Sequence, residues 1–187
     1  MNSRDIIMFL GIAEKLKCEL RHSWTSTMRQ ESVAEHSWRL CVFSWLLKDQ
    51  LKDEYDMDKV LKMCLFHDLG EAIAGDVPSF IKSDADIRKE DAAIQQILGM
   101  LDQGAGAELE ELFLEMKEQK SKEARLFNAL DKLEAVIQHN EAPIVTWIQL
   151  EFELNKTYAD DEVRGIAVME DLREAVRQDT IDKIRLE

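Results

Sequence analysis

The sequence predicts an all-α protein, a single-domain helical bundle, on three observations. Glycine and proline are scarce, 7 and 2 in 187 residues, against an abundance of Glu, Lys, Leu and Ala. Apolar residues recur at helical spacing in one segment after another. No internal repeat, low-complexity tract or long linker divides the chain. A hydrophobic content of 45% and a charged content of 33% are those of a globular chain with a real core.

Taken in order, Ser3 can cap a first helix whose apolar stripe is Ile6, Phe9, Leu10, Ala13, Leu16 and Leu20. The segment from Arg21 to Glu31 breaks that pattern, is polar, and reads as a surface loop with Trp24 as its one large ring. An aromatic close to Arg21 suits a base-stacking platform, and equally a tryptophan folded back on the core. Ser32-Val33-Ala34-Glu35 is a capping box that starts a helix to about Lys52, with His36, Leu40, Phe43 and Leu47 on one stripe. The stretch Val60–Pro78 is the apolar centre of the chain, read as one helix until Gly75-Asp76-Val77-Pro78 ends it in a turn. Gly70 inside it leaves room for something to approach closely.

Ser83, with Asp86 at the third position, caps a helix with the stripe Ile87, Ile94, Ile97, Leu98 and Leu101. Gly104-Ala105-Gly106 reads as a flexible connector before a helix carrying Leu109, Leu112, Phe113 and Met116. The next helix, within Ser121–His139, buries Leu126, Phe127, Leu130, Leu133, Val136 and Ile137, with Asp131 beside its apolar face. Pro143 stops it. Two further helices, Ile144–Tyr158 and Asp160–Val176, complete the reading, Ile181 and Ile184 extending the last. The chemistry-bearing core thus spans about residues 21–140, with helices of 144–187 packing on it.

A formal net charge of -14 makes polyanions such as DNA or RNA, which need a basic surface, poor candidates, and no nucleic-acid partner is expected. A small anionic substrate fits only if a bound cation reverses the local field. The three cysteines are scattered and odd in number, which suits a reducing compartment. No signal-peptide pattern follows Met1 and no apolar run approaches bilayer length, so a cytoplasmic protein without a membrane partner is expected.

The chemistry comes from charges in the most apolar region. His67, Asp68 and Glu71 follow directly on Val60–Phe66, and buried charges need partners, of which a metal cation is the simplest. His36 alone reads as a core histidine bonded to a carbonyl, and Asp131 alone as a stripe-edge carboxylate paired with Lys132 or Arg125. Together, His36, His67, Asp68 and Asp131 form a mixed N/O donor set from three helices. Such a set suits Mn, Co, Fe, Ni, Zn or Mg, and its lack of thiolates argues against a closed structural zinc site. Glu71, four residues after His67 and three after Asp68, lies over the same patch as a candidate base for an attacking water.

The order H…HD…D, with the HD pair in an apolar helix, resembles the HD-domain metal-dependent phosphohydrolases. The runs ESVAEHSWR (31–39), HDLGEAIAGDVP (67–78) and ALDKLEA (129–135) resemble, more narrowly, the YfbR-like 5′-deoxynucleotidases and their eukaryotic relatives. The resemblance implies an HD-type bundle and a phosphomonoesterase acting on deoxynucleoside 5′-monophosphates. It implies one divalent metal ion held by His36, His67, Asp68 and Asp131, with Glu71 orienting or deprotonating the attacking water. Asp76 takes the place of the aspartate that sits by the sugar 3′-hydroxyl, and Arg21 that of an arginine near the base. The bacterial pattern has Arg-Trp adjacent, whereas here His22 and Ser23 precede Trp24. Family members are typically homodimers, for which the C-terminal helices are a candidate interface.

Two other readings compete. An HD-type nucleotide di- or triphosphate hydrolase needs several basic residues, and Lys82 and Arg88 are the near candidates, Lys82 serving also for a monophosphate. A non-catalytic helical interaction module with a degenerate metal site has no use for a carboxylate at Glu71.

Overall fold

The computed structural model describes residues 1–186. Six of its α-helices begin where short polar side chains satisfy their first amides. In α1 (Ser3–Lys15) the cap is Asn2, whose side chain accepts from the Arg4 and Asp5 amides at 2.8 and 3.0 Å, so Ser3 is the first helical residue and not the cap. The helix ends at Lys15, short of Leu20, which opens a strand.

Where a loop was expected, β1 (Leu20–Trp24) and β2 (Gln30–Ser32) pair antiparallel as a hairpin. Ser23 and Glu31 are buried, whereas the tip at 26–29 is exposed. Three to five residues are too few for strand alternation to announce itself beside longer helices.

α2 (Val33–Leu51) starts at the expected capping box. The Glu35 amide donates to Ser32 Oγ at 3.3 Å, and the Ser32 amide donates to Glu35 Oε2 at 2.9 Å. α3 (Met57–Phe66) is capped by Asp56, which accepts from the Lys59 amide at 3.0 Å. The central helix is not continuous to Gly75. It stops at Phe66, turns through His67–Gly70, and resumes as the single turn α4 (Glu71–Ala74). Three-residue hydrogen bonds, Leu69 N–H to Phe66 O and Glu71 N–H to Asp68 O, both 3.0 Å, hold this bend. Gly70 lets the neighbouring α5 (Asp84–Leu98) approach closely, since a Cβ there would lie 3.0 Å from Glu90 Cγ and Ile94 Cγ1.

α6 (Gln103–Glu118) includes Gly104-Ala105-Gly106 in its first turn. Asp102 caps it by accepting from the Ala105 amide at 3.0 Å, so this segment is helix and not connector. The axis of the bundle is α7 (Lys122–Glu141), packed against α2, α3, α6 and the C-terminal helix. Leu126, Ala129, Leu130 and Leu133 are fully buried there, among Leu40, Val60, Met63 and Met169.

Beyond Ala142 the chain makes a 3₁₀ turn (Ile144–Thr146), then α8 (Glu151–Thr157) and α9 (Ala167–Leu186). The last helix thus begins seven residues later than the acidic segment suggests. Asp160 instead binds Arg173 Nε and Arg177 Nη2 from outside it, both at 2.8 Å. Ile181 and Ile184 do lie within it. Among the described residues no helix is long and apolar enough to cross a membrane.

Candidate metal centre and substrate cavity

Three helices bring the predicted donors together. His36 sits in the first turns of α2, fully buried, Asp131 lies midway along α7, and His67 and Asp68 occupy the bend after α3. His36 Nε2 is 2.9 Å from Asp131 Oδ1. His67 Nε2 is 2.9 Å from Asp68 Oδ2 and 3.7 Å from Asp131 Oδ1. Single donor atoms of His36, His67 and Asp68 all lie within 4.8 Å of one another. Adjacent residues on a straight helix diverge by about 100°; the bend relaxes that constraint and turns both toward one point.

Both imidazoles are held from behind. His36 Nδ1 lies 2.5 Å from Glu134 Oε2, and His67 Nδ1 lies 3.1 Å from the Cys64 carbonyl. Oxygen acceptors at Nδ1 favour the proton there and leave Nε2 as the donor atom facing the cluster, as at metal-binding histidines. His67 Nε2 is buried without a hydrogen-bond partner. This orphaned nitrogen and the N/O donor set fit a divalent cation. His36 and Asp131 are therefore neither a carbonyl-bonded core histidine nor a surface carboxylate. Lys132 pairs with Glu162 instead.

The electrostatics favour positive charge in the cluster. Burial and Arg21 oppose a charged His36, yet Glu134 and Asp131 outweigh them and lift its pKa to about 10. Burial likewise opposes ionised Asp68, but His67, His36 and Arg21 hold its carboxyl well below the usual range. Glu31 and Glu134 are also buried beside His36, close enough to offer a second set of donor atoms. Neither opens on the cavity, and arginines already compensate them: Arg21 Nε is 3.3 Å from Glu31, Arg39 Nε 3.4 Å from Glu134. Burial and Glu134 still push Glu31 up to about 7.

The cluster forms one wall of a cavity of about 200 Å³, where Asp68 and Asp131 meet Arg21, Glu71, Asp76 and Lys82. Glu71 is 5% exposed, and its Oε2 has no hydrogen-bond partner. Burial, then Asp68 and Asp76, push its carboxyl up to about 10. Asp76 follows Gly75, whose φ of 83° is the left-handed conformation that favours glycine, and its amide donates to Glu19 Oε1 at 3.0 Å. Lys82 pairs with Glu90, and Arg21 Nη1 lies 3.4 Å from Asp68.

Trp24 is not part of this cavity wall. It is half-buried, and its backbone carbonyl accepts from Gln138 Nε2 at 2.7 Å. Rings on this wall include His22 and Phe80, edge to face with ring centroids 5.5 Å apart, and Tyr158. Regular alternation would place His22 and Trp24 on one face; β1 departs from it, with a register irregularity between Leu20 and Trp24, and the consecutive residues Arg21, His22 and Ser23 all reach the cavity. His139, Glu151 and Asn155 also line the cavity and were not anticipated. Glu134 had a usable signal, three residues after Asp131 on one helix; Glu151, from a segment with no motif, had none.

The model of the HD domain family matches residues 13–173. The chain is 32% identical over 143 residues to the 5′-deoxynucleotidase HDDC2 of Homo sapiens, covering 74% of this chain and 69% of that one. It is 33% identical over 141 residues to the protein of the same name from Danio rerio, covering 73% and 69%. A solved structure of a conserved hypothetical protein from Pyrococcus furiosus superposes with a TM-score of 0.72 at 31% identity, covering 92% of this chain and 99% of that one. A predicted metal-dependent phosphohydrolase from Magnetospirillum magnetotacticum shares the fold, with a TM-score of 0.82 at 23% identity, over 96% and 93%. With an HD pair in the bend after α3 and a domain model that spans most of its length, this chain belongs to the HD domain family.

Proposed function

We propose that the protein is a metal-dependent phosphomonoesterase that hydrolyses deoxynucleoside 5′-monophosphates to nucleoside and phosphate. The observation that carries this is the unpartnered, buried carboxylate of Glu71 in the same cavity as Asp68 and Asp131. The relatives named 5′-deoxynucleotidase support the substrate class.

His36, His67, Asp68 and Asp131 hold one divalent ion, which when bound acidifies a water and offsets charge on a phosphoryl oxygen. Glu71 takes the water's proton; its raised pKa falls when positive charge stands beside it. Arg21, whose place beside Asp68 favours the phosphate over the base contact that the resemblance implies, and Lys82 face the phosphate, and Asp76 accepts from the sugar 3′-hydroxyl. The lysines of the cavity wall, Lys82 and Lys132, are each paired with a glutamate. That leaves little cationic surface for a longer phosphate chain and favours a monophosphate.

The functional unit is a cytoplasmic homodimer, its cysteines Cys18, Cys41 and Cys64 unpaired. The C-terminal helix packs within its own chain, so the better-supported interface is an apolar stripe elsewhere. Trp38, Val42, Trp45 and Leu46 on α2 are exposed beside Leu61 and Leu65 on α3, where Cys41 Sγ lies 3.9 Å from the Leu61 carbonyl.

The test is a panel of ribo- and deoxynucleoside 5′-monophosphates, di- and triphosphates, assayed on chelator-treated protein with each divalent metal restored. Metal-dependent release of phosphate from deoxynucleoside monophosphates is expected. Turnover confined to triphosphates, or none with any metal, overturns the reading.

A further inference from the structure

The cavity runs along α7 from the acidic cluster to a second polar group that the proposed chemistry does not use. Asp131, Ala135 and His139 line it at four-residue intervals. Eight residues at 1.5 Å rise span about 12 Å, comparable with the reach from phosphate to the far edge of a base. Ala135, the small residue midway, leaves the passage open.

At the far end stand two side chains of α8, Glu151 and Asn155, 1% and 2% exposed. Four residues apart, they share one face of their helix. Glu151 Oε2 accepts from the Ile148 amide at 2.7 Å, and Oε1 has no hydrogen-bond partner. His22 Nε2 and His139 Nε2 lie 3.0 and 3.5 Å from that oxygen without hydrogen-bond alignment. Asn155 Oδ1 pairs with His139 Nδ1 at 3.2 Å, and Asn155 Nδ2 has no partner. Burial lowers the pKa of His139 against the pull of Glu151, so this imidazole is neutral, with Ser23 Oγ on its Nε2 at 3.3 Å. The cavity wall therefore carries a buried acceptor, approached by two imidazoles, and a buried donor, neither of them hydrogen-bonded at Oε1 or Nδ2.

Leaving such groups unmatched is costly, and native chains rarely do so without a ligand or water to match them. A nucleobase edge presents an N–H beside a carbonyl or ring nitrogen, the complement of this pair. The His22–Phe80 edge-to-face pair supplies an aromatic flank for the face of a ring.

We propose that Glu151 and Asn155, flanked by His22, form a subsite that takes the base of the nucleotide by its hydrogen-bonding edge, with Glu151 accepting from a base N–H. The inference rests on the nucleotide reading above. It makes activity depend on the base and not only on the sugar phosphate.

The experiment compares kcat/KM for thymidine 5′-monophosphate, its N3-methyl derivative and deoxyribose 5-phosphate on wild type, Glu151→Gln and His22→Ala. Wild type is expected to favour the unmethylated nucleotide over both other substrates. Glu151→Gln retains an oxygen for the Ile148 amide. It should lower that preference by about tenfold to a hundredfold, the range for a hydrogen bond to a charged group, with the change in KM more than in kcat. The methylated substrate has already lost the N–H, so it should lose little more in the variant. His22→Ala, on the surface hairpin, should erode the same preference to a lesser extent, and it keeps the test open if Glu151→Gln fails to fold. Equal proportional losses on all three substrates mean a merely structural Glu151 and overturn the subsite. So does a wild type that treats deoxyribose 5-phosphate and the nucleotide alike, while leaving the proposed activity standing. A wild type that cleaves no nucleoside monophosphate overturns both.

Discussion

Asp68 and Glu71 are three residues apart and line one cavity, yet their acidities are driven in opposite directions. Both pay for burial. Asp68 faces His67, His36 and Arg21, which hold it ionised, whereas Glu71 faces Asp68 and Asp76, which push it toward the neutral acid. The difference lies in neighbours, not in residue type or depth. A carboxylate among cationic donors is suited to bind a metal, and one among carboxylates is suited to exchange a proton.

The most severe way to break this contrast is to remove the ion-holding side. Asp68→Ala should lose metal and activity together, because it deletes a charge from the coordination sphere, and chelation of the wild type should lower Tm as the bound state is withdrawn. Metal analysis and thermal melts of the purified variant decide it; full metal occupancy would refute the ligand assignment.

Removing the other side should separate binding from turnover. Glu71→Gln keeps metal and fold but lowers kcat by about a hundredfold or more, the scale of general-base catalysis. Wild-type turnover in that variant would dissolve the distinction drawn between the two carboxylates.

Asp76 tests whether the acidic neighbour of Glu71 also reads the sugar. Asp76→Ala should lower kcat/KM for deoxynucleoside monophosphates by about tenfold to a hundredfold, the value of a hydrogen bond to a charged acceptor. The 2′,3′-dideoxy analogue, lacking the 3′-hydroxyl, should lose far less. Equal losses on both would mean that Asp76 only shapes the turn.

The smallest effect comes from a carboxylate whose low pKa is purely structural. Glu35 is held down to about 2 by Arg29 and by the Ser32 amide of its capping box. A folded-state pKa below the ordinary value of about 4.3 stabilises above that pH, and the benefit is lost as pH falls toward 2. The side chain is 45% exposed, so solvent screening limits it to about 1 kcal/mol or less. Urea midpoints of wild type and Glu35→Ala should differ at pH 7, and the difference should shrink below about pH 4 and close only as the pH reaches about 2.

By itself the sequence determined the helical class and the Ser32 and Ser83 capping boxes, and it singled out His36, His67, Asp68, Glu71, Asp76 and Asp131 as candidates that the fold then brings near one another. Helical periodicity and capping act within a few residues of chain, and the motif residues are chemically unusual for the apolar segments that hold them. The tertiary structure decided what depends on distant neighbours. The break at His67–Gly70 sits where α5, fourteen and more residues further along the chain, packs closely on Gly70. The hairpin at 20–32 forms through strand pairing, and its irregular register between Leu20 and Trp24 leaves His22, not Trp24, on the cavity wall. The start of α9 was decided by Asp160 binding arginines across a turn instead of capping a helix. Glu134 is paired with His36, 98 residues away, and Glu151 stands beside His22, 129 residues away. Pairing over such separations leaves no period and no local spacing in the chain, because it is the packing of α2, α7, α8 and the hairpin that brings these side chains together.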